Sequence, residues 1–370
     1  MTLRRVIEDE IRANGPIHFS RYMELCLYHP DLGYYSRNVE QFGKAGDFYT
    51  SSDVHAVFGR LLARQFAEMW QVLGAPSELE LLELGPGRGL FAQDVLDWSE
   101  KKFPEFFRAL RYALWERSPA LRQKLRTNLE RHLESGKARI LDAPTDLEAA
   151  AAGAQIIFGN EFFDAFPVEV LSPRGSLRID ASHGNFLEVW VASSPEELDF
   201  LDRYSVHPEE DERVEVSLNA VRVMEKITSG LRRGFTIFVD YGYTREEQLQ
   251  GRHRGTIMAY RKHSAGTNPY EAPGEQDITS HVNFTALAAA ARNFGLEIEK
   301  LRTQSQFLMG VGEATEFGDA FEDCRLPQER AKIALQLKHL VTPLGMGETF
   351  QVLVGRKGVE PVQLSGLSFG

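Results

Sequence analysis

Glu83 and the glycines at 85, 87 and 89 are the residues whose types and spacing speak most directly of chemistry. Glycines without a Cβ let a ligand approach the backbone of a tight turn. Glu83, just before them, offers a carboxylate to a cation through charge-assisted or water-bridged contacts. The spacing narrows the ligand, because a dinucleotide fingerprint G-x-G-x-x-G would need a small residue at 90 and Leu90 stands there. A second acid, Glu116, follows Trp115, where a carboxylate can accept two hydroxyl hydrogen bonds from a ribose. It lies 27 residues past Gly89, and the segment around Phe103-Pro104-Glu105-Phe106-Phe107 accounts for that length. Asp142, after a third apolar run, is placed to accept from an adenine amino group. The plainer reading of Glu116 is a surface carboxylate.

A third constellation is Asn160-Glu161-Phe162-Phe163-Asp164. Two acids and an Asn among aromatics form a clamp for a cation, or else a capping segment in which Asn160 and Asp164 satisfy backbone donors. Val239-Asp240-Tyr241-Gly242-Tyr243 reads as a further strand tip at the same opening. Asp277 and His281 fall one helical turn apart, a spacing more typical of a local hydrogen bond than of catalysis. Arg252, His253, Arg254, Arg261, Lys262 and His263 form a basic group, which reads as a solvated loop.

The elements that position these residues follow from periodicity. Leu79, Leu81, Leu82 and Leu84 read as a buried strand, and Leu90, Phe91, Val95 and Leu96 as the helix after the glycine turn. Strand, glycine turn and helix open a nucleotide-binding α/β sheet. Further strands are expected at 111–115, 138–141, 154–158, 235–239, 296–301 and 348–354, and intervening helical patterns suit a parallel sheet with helices on both faces. Before it come a helix over 2–13 ended by Gly15-Pro16, a helix over 21–28 capped by Ser20, and a long helix capped by Ser52 or Asp53 and ended by Gly74. The domain reading is a helical N-terminal cap (1–75), a Rossmann-like core (76–167 and 221–370), an antiparallel β insertion (168–220) and a polar insertion at about 244–282. The alternating runs at 168–195 leave two uses open, a homodimer surface or a substrate arm.

Bulk composition excludes several classes. The 370 residues are 43% hydrophobic and 26% charged, which is ordinary for a globular chain with a sizeable core. A net charge of −11 disfavours sequence-independent binding to nucleic acid, which needs a basic surface. Cys26 and Cys324 give neither a disulfide framework nor metal-type spacing. No apolar run approaches the roughly 18 residues of a membrane span. The first ten residues lack an apolar core and turn acidic, unlike a signal or transit peptide. A cytoplasmic protein is therefore expected.

The glycine loop behind Glu83 resembles the first motif of class I S-adenosylmethionine-dependent methyltransferases. The resemblance extends nearly end to end to the MidA family. It is carried by His29-Pro30-Asp31-Leu32-Gly33-Tyr34-Tyr35, Gly46-Asp47-Phe48, Glu83-Leu84-Gly85-Pro86-Gly87-Arg88-Gly89 and Asn160-Glu161-Phe162-Phe163-Asp164-Ala165. Farther on it includes Asp240-Tyr241-Gly242-Tyr243, Gly255-Thr256-Ile257-Met258-Ala259-Tyr260, Pro273 through Val282, and Gly345-Met346-Gly347-Glu348. The chain departs from the pattern at Ser51-Ser52-Asp53-Val54-His55. The resemblance implies a class I methyltransferase fold with added helical and β elements, S-adenosyl-L-methionine as cofactor, and a protein arginine as acceptor. In mitochondrial members it implies the quinone-site subunit of respiratory complex I as target; a eukaryotic member would work in the matrix with its transit peptide removed. Glu83, Gly85, Gly87, Gly89, Glu116, Asp142 and Asp47 are then the expected cofactor residues. Glu161, helped by Asp164 or Asp47, would hold a guanidinium, with Asn160 positioning the neighbouring nitrogen. The rival readings are a non-catalytic assembly chaperone that keeps the cofactor fold, and a nucleotide-dependent oxidoreductase, which Leu90 disfavours.

Overall fold

The computed structural model describes residues 2–37, 56–141, 146–261, 264–266 and 268–369. Asp47, the expected caps Ser52 and Asp53, the departure at 51–55, Asp142, Lys262 and His263 lie outside them. The described residues form two compact units.

One unit takes its described residues from Tyr49–Phe162, Lys226–Tyr241 and Ala291–Gly370. Its sheet contains β1 (Leu79–Leu84), β2 (Leu110–Trp115), β3 (Ala138–Ile140), β4 (Ile156–Asn160), β5 (Gly234–Tyr243) and β6 (Phe350–Lys357). The spatial order is β3-β2-β1-β4-β5-β6, with the first five parallel. The chain moves outward from β1 through β2 and β3, then returns to β1's other edge with β4. That reversal puts a topological switch point at the carboxyl end of β1, where open α/β sheets bind ligands.

A parallel sheet is what the alternation of strands and helices suggests; the observed sheet is mixed, because β6 runs back along β5 from Gly234↔Lys357 to Tyr241↔Phe350. Hydrophobic period encodes which residues are buried, not which way a strand runs. The run expected at 296–301 pairs only at Glu297–Ile298, also antiparallel to β6.

The core of this unit follows from period-2 and period-3.6 burial. Leu79 and Leu81 on β1, Leu110 and Tyr112 on β2, and Ile156 and Phe158 on β4 share one core cluster with Phe58, Leu62 and Phe66 of α1 (Ala56–Val72) and Phe91 of α2 (Leu90–Lys102). Phe91 stacks on Phe158 with centroids 4.5 Å apart, and Phe66 meets the same ring edge-on at 5.6 Å. All ten residues of β5 are buried, as a strand covered on both faces requires.

The other unit takes its described residues from Met1–Phe48, Phe163–Glu225 and Gly242–Ala290. The alternating runs fold as antiparallel strands Glu169–Ser172, Gly175–Ser182 and Asn185–Val191, joined by left-handed glycines at 175 and 184. Helices Leu3–Asn14 and Phe19–Tyr28 bury Ile7, Ile11, Phe19, Tyr22 and Met23 in one cluster with Leu177 and Ile179. Ser20 does not cap the second helix. The helix starts at Phe19, and the Ser20 hydroxyl donates instead to Glu169 Oε1 at 2.5 Å, a partner 149 residues away.

Phe158 lies at the centre of the aromatic cluster. Replacing it with Ala is expected to cost about 3–5 kcal/mol through lost contacts and a residual cavity, read as a lower urea midpoint with an unchanged slope.

Candidate cofactor and acceptor site

β1 ends in Leu84, and the chain must turn into α2 within five residues. Gly85, Gly87 and Gly89 take φ values of 66°, 56° and 79°, so each alternate residue is left-handed. A side chain there would be strained by about 1–2 kcal/mol per residue. At Gly89 a Cβ would also come within 2.5 Å of a Leu125 methyl. The turn is held by distant groups: Gly85 N–H donates to Trp115 O at 3.0 Å, and Asn128 Nδ2 donates to Arg88 O at 2.9 Å.

Glu116 sits past the end of β2. Its Oε2 accepts from Gly87 N–H at 3.1 Å and its Oε1 from Ser118 N–H at 2.8 Å. Burial pushes the carboxyl up to about 7, against the pull of those amides. Thus the acid expected at a ribose also braces the glycine turn.

Glu83 continues the inward face of β1 after Leu79 and Leu81, and it is 4% exposed. The Tyr112 hydroxyl donates to its Oε2 at 2.9 Å. Burial pushes Glu83 up to about 8, the phenol opposing the shift and the negative charge of Glu116 adding to it. Tyr112 escapes sequence reasoning because it reads as one more core aromatic. Only the β1–β2 register, Leu81↔Tyr112, reveals that it shares a face with Glu83 two residues on.

The end of β4 completes this corner. Phe162 lies against the turn, so that a Cβ on Gly85 would touch its ring at 3.0 Å, and it meets Trp115 edge-on with centroids 6.4 Å apart. Glu161 is itself left-handed, with φ 50°, and its N–H donates to Val239 O at 2.8 Å. Asn160 Nδ2 donates to Glu161 Oε1 at 3.1 Å. The Asp240 carboxylate, 1% exposed, accepts from Phe162 N–H at 3.1 Å, so this tip residue builds the loop.

Glu83, the three glycines, Glu116, Asn160 and Glu161 therefore come together at the carboxyl ends of neighbouring strands in one unit. Asp164 belongs to the other unit, buried, its carbonyl accepting from Ser280 N–H at 3.0 Å. Asp277 and His281 are not a helical turn apart as the spacing suggests. Asp277 opens the short strand Asp277–Thr279, where it pairs with Tyr260, and His281 lies just before the next strand, Val282–Asn283. Asp277 Oδ1 accepts from the Tyr35 hydroxyl at 2.9 Å, and His281 Nδ1 lies 3.1 Å from His253 Nδ1. Of the basic group, Arg254 pairs with Glu212 and Arg261 with Glu275.

The turn fits a cofactor that lies against backbone. Among the described residues, a Cβ at Gly87 would meet nothing within 4 Å, while acids stand before and beside the turn. Fold and site together define a class I S-adenosylmethionine-dependent methyltransferase. The chain belongs to the S-adenosyl-L-methionine-dependent methyltransferase family whose model matches residues 61–301. It is 29% identical over 376 residues to the protein arginine methyltransferase NDUFAF7, mitochondrial, of Danio rerio, covering 93% of this chain and 84% of that one. The Homo sapiens protein of the same name is 26% identical over 378 residues, with 92% and 80% covered. A Burkholderia thailandensis protein solved bound to S-adenosyl-homocysteine superposes with a TM-score of 0.82 at 27% identity, covering 100% of this chain and 95% of that one. The cofactor is S-adenosyl-L-methionine, as the motifs imply. Among the described residues no helix is long and apolar enough to cross a membrane.

The raised Glu83 carboxyl has a consequence for the free protein. Its folded value of about 8 exceeds the ordinary 4.5, so the folded state binds the extra proton and loses stability as pH rises between those values. Glu83→Gln keeps an acceptor for Tyr112 and removes the titration. Urea unfolding at pH 5 and pH 8 should show a smaller fall in stability for the variant than for the parent.

Proposed function

We propose that this enzyme methylates an arginine side chain of a protein, and that Glu161 with Asn160 holds the acceptor guanidinium. The support is twofold: relatives matched over more than nine-tenths of the chain are named protein arginine methyltransferases, and Glu161 stands in a constrained backbone conformation beside the glycine turn. The target suggested by the MidA-type motifs is the quinone-site subunit of respiratory complex I or its bacterial counterpart, met in the cytoplasm in a bacterial member.

An arginine guanidinium stays protonated below a pKa of about 12 and is a poor nucleophile. Against a carboxylate its positive charge concentrates on the nitrogens that donate to that carboxylate, leaving electron density on the remaining nitrogen. Glu161 is the carboxylate for this task, and Asn160, bonded to it, orients the fork. When bound, S-adenosylmethionine would supply a methyl on a sulfonium; the acceptor nitrogen's pair would form the N–C bond as the C–S bond breaks to a neutral thioether, and the acceptor would give one proton to solvent. The protein's part is mainly alignment, which can supply roughly 7–11 kcal/mol. Glu83, Glu116 and the backbone at Gly85, Gly87 and Gly89 are the residues that would hold the cofactor.

Glu161→Gln should reduce methyl transfer at least a hundredfold while S-adenosylhomocysteine affinity, read by calorimetry, stays within a few-fold. Lost cofactor binding with intact turnover at saturation would overturn the assignment. For the substrate class, isotopically labelled methyl donor should place label on arginine when a lysate lacking the chain is supplied with purified protein, read by mass spectrometry. Label on another residue type would refute an arginine acceptor. Unmodified arginine in a captured partner would favour the assembly-chaperone reading.

A further inference from the structure

The inner face of β1 reads Leu79, Leu81, Glu83, so an acid ends an apolar stripe directly before the glycine turn. Its neighbours in register are Leu114 on β2 and Phe158 on β4, both buried. Tyr112, 1% exposed, reaches it with the phenol hydroxyl. Among the described residues, the titratable groups that act on the Glu83 carboxyl are Tyr112 and Glu116, one neutral and one acidic, with no cation. One phenol donor is little compensation for a buried charge.

We propose that Glu83 and Tyr112 form a proton-exchanging pair beneath the glycine turn: Glu83 is protonated in the free protein and gives its proton to solvent as the ammonium of the cofactor's amino-acid end arrives, Tyr112 holding the resulting carboxylate. This rests on the cofactor reading of the site and assigns Tyr112 as a positioning residue. The step breaks only the carboxylic O–H bond, and the buffer takes the proton. The upward push on Glu83 by burial agrees with it, because an acid at about 8 is mostly protonated at pH 7. An arriving ammonium reverses the balance, since an opposite charge within a few ångströms favours the ionised form.

The sign of the pH dependence follows. The form that binds is the ionised one, so affinity climbs with pH, close to tenfold per unit, and levels off near pH 8. S-adenosylhomocysteine retains the ammonium but not the sulfonium, so it isolates this effect from the charge on sulfur. 5′-Methylthioadenosine keeps the ribose and lacks the ammonium, so it reports any proton contributed by Glu116.

The test is calorimetry of the full chain with both ligands at pH 7, in buffers of different ionisation enthalpy, which gives protons released per ligand bound. About one more proton should leave with S-adenosylhomocysteine than with 5′-methylthioadenosine. Glu83→Gln should abolish that difference and flatten the pH dependence of affinity. Tyr112→Phe should keep the proton release but move its upper pH limit higher, because the phenol favours the carboxylate; a merely structural role for Tyr112 would weaken binding equally at every pH. Binding of S-adenosylhomocysteine without the extra proton, or proton release unchanged in Glu83→Gln, overturns the proposal. If Glu83→Gln no longer binds, the stoichiometry of the parent and of Tyr112→Phe decides. Absence of any S-adenosylhomocysteine binding by the parent would instead overturn the reading of the site itself.

Discussion

A five-residue reversal from a buried strand into a buried helix constrains everything else at this corner of the protein. Neither end of the turn can move, because Leu84 and Phe91 are both buried in the core. Left-handed geometry at 85, 87 and 89 is the local solution, open to glycine without the steric cost a Cβ brings. The turn then needs outside partners, and they come from three parts of the sequence: Trp115 O and Glu116, Asn128 and, as packing, Phe162. Each hydrogen bond contributes only about 0.5–1.5 kcal/mol net. Together they fix the backbone before a ligand arrives, and preorganisation lowers the ordering cost of binding.

Glu83 and Glu116 are one residue type in two different surroundings. Both are pushed upward by burial, Glu116 to about 7 and Glu83 to about 8. Glu116 accepts two backbone amides that stabilise its charge, whereas Glu83 has a single phenol. An acid that accepts from ribose hydroxyls needs lone pairs more than charge, and amides that share those lone pairs keep it oriented. An acid that meets an ammonium needs charge, and a poorly solvated carboxyl gains most from such a partner. The difference in surroundings therefore suits the roles read from their positions on the strands.

Local signals in the sequence were enough for the turn, the strands flanking it and the acid after β2, because each is encoded within a dozen residues. Glycine spacing implies the left-handed turn, and apolar runs mark β1 and β2 to within a residue. Tyr112 under Glu83, and Asp240 under Phe162, depend on registers between strands 29 and 78 residues apart along the chain. Nothing local distinguishes such residues from ordinary core. Ser20 illustrates the opposite error: a good capping residue before an apolar pattern has a distant acid as partner, and the tertiary bond overrides the local one. His281 follows the same logic, since a helical spacing means nothing where Asp277 is drawn into a sheet.

The backbone around Glu161 bears on whether that segment merely caps β4. A cap exists to satisfy amides that would otherwise lack partners. Here the amide of Glu161 is bonded to Val239 O and the amide of Phe162 to Asp240 Oδ2, both from β5. Those donors are satisfied without Glu161's side chain, yet Glu161 is held at a positive φ that a glycine would adopt more cheaply. Strain of this kind persists where surrounding contacts over-determine it, and it concentrates at ligand-binding positions. A carboxylate kept at such a cost, with Asn160 bonded to it and Phe162 packed on the glycine turn, agrees with the acceptor role proposed for Glu161.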